Sequence, residues 1–361
     1  MSRLKARLLA RIDREGPMNI AAYMTACLFD PVDGFYPTRD PLGSEGDFIT
    51  APEVSQMFGE LLGIFAVQSW RDMGRPETLH LIELGPGRGV MMSDMIRAAR
   101  IDPDFLKAMR VTLVEASPAL EAVQGQTLVR CPYPVSWVHS LTDVPAGPSL
   151  IVANEFLDCL PIRQFIRHRN RWHERMVMRD PDGADALVFG RSSAPEAGLD
   201  LSAFDGANEG DLVEYNPGLT QLCAQFSDRF ARHKGRALLI DYGPAVSEVG
   251  DTLQAIAKHK KVDPLDAPGQ ADLTARVDFA ALTRAATEEQ LSAFGPYKQA
   301  EFLTAMGIDL RAAKLARQSP DQKPVIERQL RRLMDGGQMG ALFKVMILQS
   351  KSLPDPIGIS P

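Results

Sequence analysis

The segment Leu79-His80-Leu81-Ile82-Glu83-Leu84-Gly85-Pro86-Gly87-Arg88-Gly89 constrains the fold of this chain more than any other. An apolar run ends in an acid and stops at a turn with glycine at every second position. Val90-Met91-Met92-Ser93-Asp94-Met95-Ile96 follows with helical spacing. A strand that breaks at glycines and re-enters as a helix is typical of open α/β sheets, where bare backbone at the helix N-terminus can meet a ligand. A dinucleotide fingerprint needs a third small residue where the helix packs on the strand. Val90 occupies that place, which weakens the dinucleotide reading. Glu83 argues the same way. A carboxylate at the strand end repels a pyrophosphate but suits a cationic amino or sulfonium group, as in S-adenosylmethionine. A tight turn with a purely structural role is the competing reading.

A second acid follows at the end of the next β-branched run, Arg110-Val111-Thr112-Leu113-Val114-Glu115. In nucleoside-binding α/β folds an acid there holds ribose hydroxyls, typically ~20 residues past the glycines. The gap is somewhat longer here because Asp102-Pro103-Asp104 inserts a turn. Further runs at Val135–His139, Ser149–Asn154 and Arg236–Asp241 alternate with helical patterns. That alternation predicts a mostly parallel sheet with helices on both faces. Between Ile162 and Gly190 the pattern turns to short polar–apolar alternations broken by Asn170 and by Asp180-Pro181-Asp182-Gly183, which predicts antiparallel hairpins. Strands are also expected at Gln290–Phe294 and Leu342–Gln349, with helices near Gln299–Met306 and Pro324–Met334.

Composition excludes several classes. Nearly half of the 361 residues are hydrophobic, enough for a large core, and the net charge is only −6 with no long basic run. A nucleic-acid groove is therefore not expected as the main surface. Cys27, Cys131, Cys159 and Cys223 are scattered without ligand spacing and read as free thiols; no metal is expected. No apolar stretch reaches the ~18 residues of a membrane span. The start, Met1 to Ile12, is basic and amphipathic like a presequence, but Asp13 and Glu15 follow at once. It reads as an ordinary first helix, and a cytoplasmic chain is expected.

Asn154-Glu155-Phe156-Leu157-Asp158-Cys159-Leu160-Pro161 follows the fourth strand. Strand ends face the ligand crevice, so Asn154, Glu155 and Asp158 are the candidate catalytic residues. Two carboxylates can neutralise and aim a guanidinium bidentately, and an acid can take the proton lost after methyl transfer. The plainer alternative is that Asp158 caps a helix and Glu155 is solvated. Gly46-Asp47-Phe48-Ile49-Thr50 could cover the cofactor, or merely cap the helix near Pro52. Asp241-Tyr242-Gly243 brings another acid and a phenol to the crevice, and Asp278 reads as a helix cap.

Gly46–Glu60, Glu83–Gly89, Asn154–Pro161, Asp241–Gly243, Asp272–Phe279 and Gly295–Asp309 together resemble the MidA-like family of S-adenosylmethionine-dependent methyltransferases, whose mitochondrial members include a complex I assembly factor that methylates protein arginine. The resemblance implies a class I, Rossmann-like methyltransferase sheet of seven strands, the last antiparallel. It also implies an N-terminal helical region and covering loop over 1–75, core halves at 76–161 and 211–361, and a β insertion at 162–210. The cofactor would be S-adenosylmethionine, held by Glu83, Gly85, Gly87, Gly89, Glu115, Asp47, Phe48 and Thr50. The acceptor would be protein arginine, in respiratory-complex assembly or a bacterial equivalent. The rival functions are a binding-only assembly factor and a small-molecule methyltransferase; a nicotinamide oxidoreductase is disfavoured by Val90 and Glu83.

Overall fold

The computed structural model of the chain describes residues 2–38 and 50–359. Seven strands form the central sheet: β1 (Leu79–Leu84), β2 (Met109–Val114), β3 (Val135–Val138), β4 (Ser149–Asn154), β5 (Gly235–Tyr242), β6 (Ser292–Lys298) and β7 (Phe343–Gln349). Their order is β6-β7-β5-β4-β1-β2-β3. The run from β5 to β3 is parallel, while β7 pairs antiparallel with both β5 and β6. β1 and β4 are buried along their whole length because their continuous apolar runs are covered on both faces. The chain leaves β1 towards β2 and β3, then returns to place β4 on the other side of β1. The order therefore reverses between β1 and β4, where open α/β sheets leave a crevice at the strands' C-terminal ends.

Alternate side chains of the strands feed the two cores. Leu81, Leu150, Val152, Leu238 and Ile240 pack under the helices Gln56–Asp72 and Val90–Ala99. Ile82, Ile151, Ala237 and Leu239 pack under Pro217–Arg232 and Phe279–Glu288. The first helix pair approaches closely because Gly63 has no side chain: a Cβ there would lie 2.5 Å from the Met95 carbonyl oxygen. Val54, Met57, Phe58, Leu61, Leu62, Phe65 and Ala66 are spaced like the apolar stripe of one helix, but they fall on two. Ser55 is extended, ends Ala51–Val54 and caps Gln56–Asp72 through the Met57 N–H.

The N-terminal segment is a helix, Arg3–Glu15, that buries Leu4, Leu8, Leu9 and Ile12. The expected hairpins are present as Arg163–His168, Arg171–Arg179 and Leu187–Arg191. Their sheet also takes in Met18–Asn19 and Leu212–Tyr215, partners that no local alternation announced. A small sheet of Gln254–Ala257, Lys260–Val262 and Asp272–Thr274, and a helix at Ile308–Gln318, complete the parts that sequence patterning missed. β6 lies later than expected, at Ser292–Lys298, since it is fixed by pairing with β7 rather than by its own apolar residues. Among the described residues no helix is long and apolar enough to cross a membrane.

Candidate cofactor and acceptor site

A cleft of about 1140 Å³ opens outside the C-terminal ends of the strands at the switch point. One wall is the glycine turn. Gly85, Gly87 and Gly89 have φ of 60°, 53° and 78°, the left-handed region that side chains other than glycine's resist. At Gly85 a Cβ would also stand 2.9 Å from the Phe156 ring. Gly89 is the N-cap of Val90–Ala99; among the described residues no side chain makes a capping bond there and the first turn holds no acid, so the N-terminal dipole is left for a ligand.

Glu83, the last acid of β1, is buried, and among the described residues its Oε2 has no hydrogen-bond partner. Burial, with a smaller contribution from the charge of Glu115, holds its pKa well above the usual carboxylate range. An acceptor oxygen left open at a cleft wall is suited to an N–H of a cationic ligand. Glu115 follows β2 and is better supported. Its Oε1 accepts the Ser117 N–H at 2.7 Å and its Oε2 accepts Gln124 Nε2 at 3.0 Å. Burial pushes its pKa up, opposed by those hydrogen bonds.

Gln124 is a site residue that sequence reasoning missed. Fully buried on the helix Pro118–Thr127, it donates to the Gly87 carbonyl at 2.8 Å as well as to Glu115, and it accepts Trp137 Nε1 at 2.8 Å. One amide thus ties the glycine turn to the second acid. A glutamine in a helix carries no local signal, because only the fold shows which ones face inward. Gln124→Met keeps the volume and removes the donor. It breaks all three bonds, and loss of the two that brace the turn and Glu115 should weaken cofactor binding about tenfold, ~1.4 kcal/mol. Calorimetry with S-adenosylhomocysteine checks this; an unchanged affinity would show that the turn holds itself.

The opposite wall is acidic. Asn154 ends β4, and its Nδ2 donates to Glu155 Oε1 at 2.9 Å, where the Ala51 N–H also arrives at 3.3 Å. Asn154 Oδ1 is buried with no partner among the described residues. Glu155 has φ of 53°, an unusual left-handed backbone for a non-glycine residue. Asp158 lines the same cleft and is buried. No helix begins after it, so the capping alternative is excluded; the residues that follow form a turn leading to the extended strand Arg163–His168. Asp272 accepts a hydrogen bond from the Tyr36 hydroxyl at 3.0 Å, and Tyr242 donates to Thr274 Oγ1 at 2.8 Å. Burial, then the charge of Asp158, pushes the Glu155 carboxyl up to about 8. Burial also raises Asp158 to about 6, against the neighbouring Tyr242 phenol.

The other expected residues divide. Thr50 lines the cleft and is the N-cap of Ala51–Val54, though its side chain makes no capping bond. Asp47 and Phe48 lie outside the described residues. Asp278 caps Phe279–Glu288 through the Ala281 N–H, as its position suggested. The four cysteines form no disulfide. Among the described residues no group of His, Cys, Asp and Glu side chains is arranged to hold a metal ion.

Residues 61–297 match the family model described as "Putative S-adenosyl-L-methionine-dependent methyltransferase". The chain belongs to this family. The methyltransferase is 37% identical over 367 residues to human "Protein arginine methyltransferase NDUFAF7, mitochondrial", covering 94% of this chain and 82% of that one. Its Drosophila melanogaster homologue is 35% identical, with coverages of 96% and 84%. A Burkholderia thailandensis protein solved with S-adenosyl-homocysteine bound superposes with a TM-score of 0.85 at 25% identity, covering 98% of this chain and 93% of that one. The donor is therefore S-adenosylmethionine. The cleft fits it on its own evidence: three left-handed glycines where backbone must approach a ligand, an uncapped helix N-terminus, and an unpaired buried acceptor on Glu83.

Proposed function

We propose that this methyltransferase modifies an arginine side chain of a protein acceptor. The observation that carries the reading is the pair Glu155 and Asp158, two carboxylates on one buried turn in the cleft that holds the glycine turn. A guanidinium stays protonated at neutral pH and is matched by planar carboxylate pairs. The names of the curated relatives support the same acceptor.

The donor, when bound, supplies a methyl group on a sulfonium. Gly85, Gly87 and Gly89 let it lie against backbone, Glu83 receives its amino group and Glu115 its ribose hydroxyls. Thr50 lines the same cleft. Glu155 and Asp158 hold the guanidinium and draw its positive charge towards themselves, which leaves lone-pair density on the nitrogen that faces the methyl carbon. Asn154 Oδ1 offers one further acceptor. Glu155 receives the proton that the alkylated nitrogen gives up. Most of the acceleration then comes from orientation of the two reactants. Incubation with methyl-labelled donor and lysate of a strain lacking the protein tests the proposal. Label on arginine in a discrete protein band supports it, label in small molecules only overturns it, and no label leaves a binding protein.

The proposal carries a pH dependence. With carboxyls near 8 and 6 in the free enzyme, the charged pair that a guanidinium requires is absent below pH 6 and complete above 8. kcat/KM should therefore climb across that window and level off above it, since it reports ionisations of the free enzyme. Stability runs the other way. Glu155 ionises at 4.5 when unfolded but about 8 when folded, so the folded state holds the extra proton in between. Stability then falls as pH rises from about 4.5 to 8 and is flat beyond. Glu155→Gln should flatten that fall in a melting series across pH.

A further inference from the structure

The acid at the end of β5 is not accounted for by the donor or the acceptor. Asp241 is wholly buried. Its partners are backbone N–H groups. Oδ2 accepts from Phe156 at 3.1 Å, Leu157 at 2.8 Å and Asp158 at 3.2 Å, three consecutive residues, and Oδ1 accepts the Tyr242 N–H at 2.8 Å. The N–H of Glu155, immediately before them, donates to the Ile240 carbonyl at 2.9 Å. Four successive N–H groups of the turn after β4 are thus gathered by two successive residues of β5. Successive amides curled round one carboxylate make an anion-binding concavity, and such an arrangement requires residues outside the usual backbone regions. Here the unusual residue is Glu155 at φ 53°.

We propose that Asp241 is a positioning residue for methyl transfer: its carboxylate clamps the backbone of residues 156–158 and so fixes Glu155 and Asp158 in the cleft. The inference rests on the reading of those two acids as the acceptor clamp. A left-handed backbone at a residue other than glycine is strained and persists only where the surroundings impose it. Asp241 imposes it. A carboxylate is the residue type for this task because one oxygen can accept three N–H bonds while the other accepts a fourth. Asparagine cannot do both, since whichever side its NH₂ takes, it meets an N–H. Burying an acid beside Asp158 and Glu155 has a cost, as burial and those two charges push Asp241 well above the usual carboxylate range. An apolar residue would fill the same space without that cost, so the acid is retained for what it holds.

The test is amide hydrogen exchange on Asp241→Asn with S-adenosylhomocysteine bound, which needs no acceptor. Exchange should quicken at least tenfold at Phe156, Leu157 and Asp158 while Leu238 and Leu239 inside β5 stay protected. Affinity for S-adenosylhomocysteine should remain within threefold, and methyl transfer in the lysate assay should fall about 100-fold. Unchanged exchange at the three amides overturns the inference. So does acceleration spread evenly along β5, or a loss of affinity as large as the loss of transfer. If the single variant does not fold, Asp241→Asn combined with Glu155→Gly decides: glycine accepts the left-handed backbone unaided, so recovery of a folded chain supports the clamp and continued unfolding overturns it. Local exchange separates this result from the acceptor's identity, because a chain that methylated nothing would still show it.

Discussion

Glu155→Gln is expected to leave S-adenosylhomocysteine binding within threefold of the parent and to cut methyl transfer by ~1000-fold, about 4 kcal/mol of transition-state stabilisation. The geometry sets both halves of that expectation. Glu155 Oε1 is already committed to Asn154 Nδ2 and the Ala51 N–H, and the amide oxygen of glutamine can keep both. The NH₂ must then take the place of Oε2 in the cleft, where it presents donors to a guanidinium that itself has only donors. The charge that draws the acceptor in and takes up its proton is also gone. Asp158→Asn should act in the same direction and leave the melting temperature unchanged or higher at pH 7. A buried carboxyl raised to about 6 is largely ionised there against its burial, and the amide removes that cost. Initial rates with the labelled acceptor, calorimetry and melting curves check the three statements. If Glu155→Gln weakens S-adenosylhomocysteine binding while sparing turnover, Glu155 serves the cofactor and the acceptor clamp is lost.

What the sequence revealed of this site was what lies close together along the chain. Glu83 and its glycines could be read because one segment contains the strand end, the turn and the helix start. Glu115 could be read from its place at the end of β2. Asn154, Glu155 and Asp158 followed from their place at and just after the end of the fourth strand, where strand ends face the crevice. The supports were hidden because each joins distant residues. Gln124 meets Gly87 across 37 positions and Asp241 meets Leu157 across 84. Tyr36 reaches Asp272 across 236. The doubt over Asp158 had the same origin: an acid in a polar loop looks like a cap until the residues beyond it are seen to lead into a strand. Met18–Asn19 is too short for any period to appear, and only the far edge of the hairpin sheet defines it.

Glu115→Ala should weaken S-adenosylmethionine binding by roughly 2–3 kcal/mol, the worth of charge-assisted hydrogen bonds to two ribose hydroxyls. The surroundings of Glu115 mean that this loss has two sources. Its carboxylate also accepts the Ser117 N–H, which turns the chain into the helix Pro118–Thr127, and it accepts Gln124 Nε2, which braces the glycine turn. Alanine strands both donors as well as the ribose, so part of the weakening is a loosened site rather than a missing contact. Glu115→Gln separates the two. Its oxygen can keep the Ser117 N–H, but its NH₂ then faces the NH₂ of Gln124, so its affinity should fall between parent and alanine. Combining Glu115→Gln with Gln124→Met removes the clash of the two NH₂ groups, with loss of the Gly87 and Trp137 bonds. If the bracing pair supplies most of the effect, the double variant binds no worse than Gln124→Met alone. If the ribose contact supplies it, the losses of Glu115→Gln and Gln124→Met add, because the two changes act on different groups. A titration in which Glu115→Ala binds as tightly as the parent would remove Glu115 from the cofactor site and leave it as a brace for the turn.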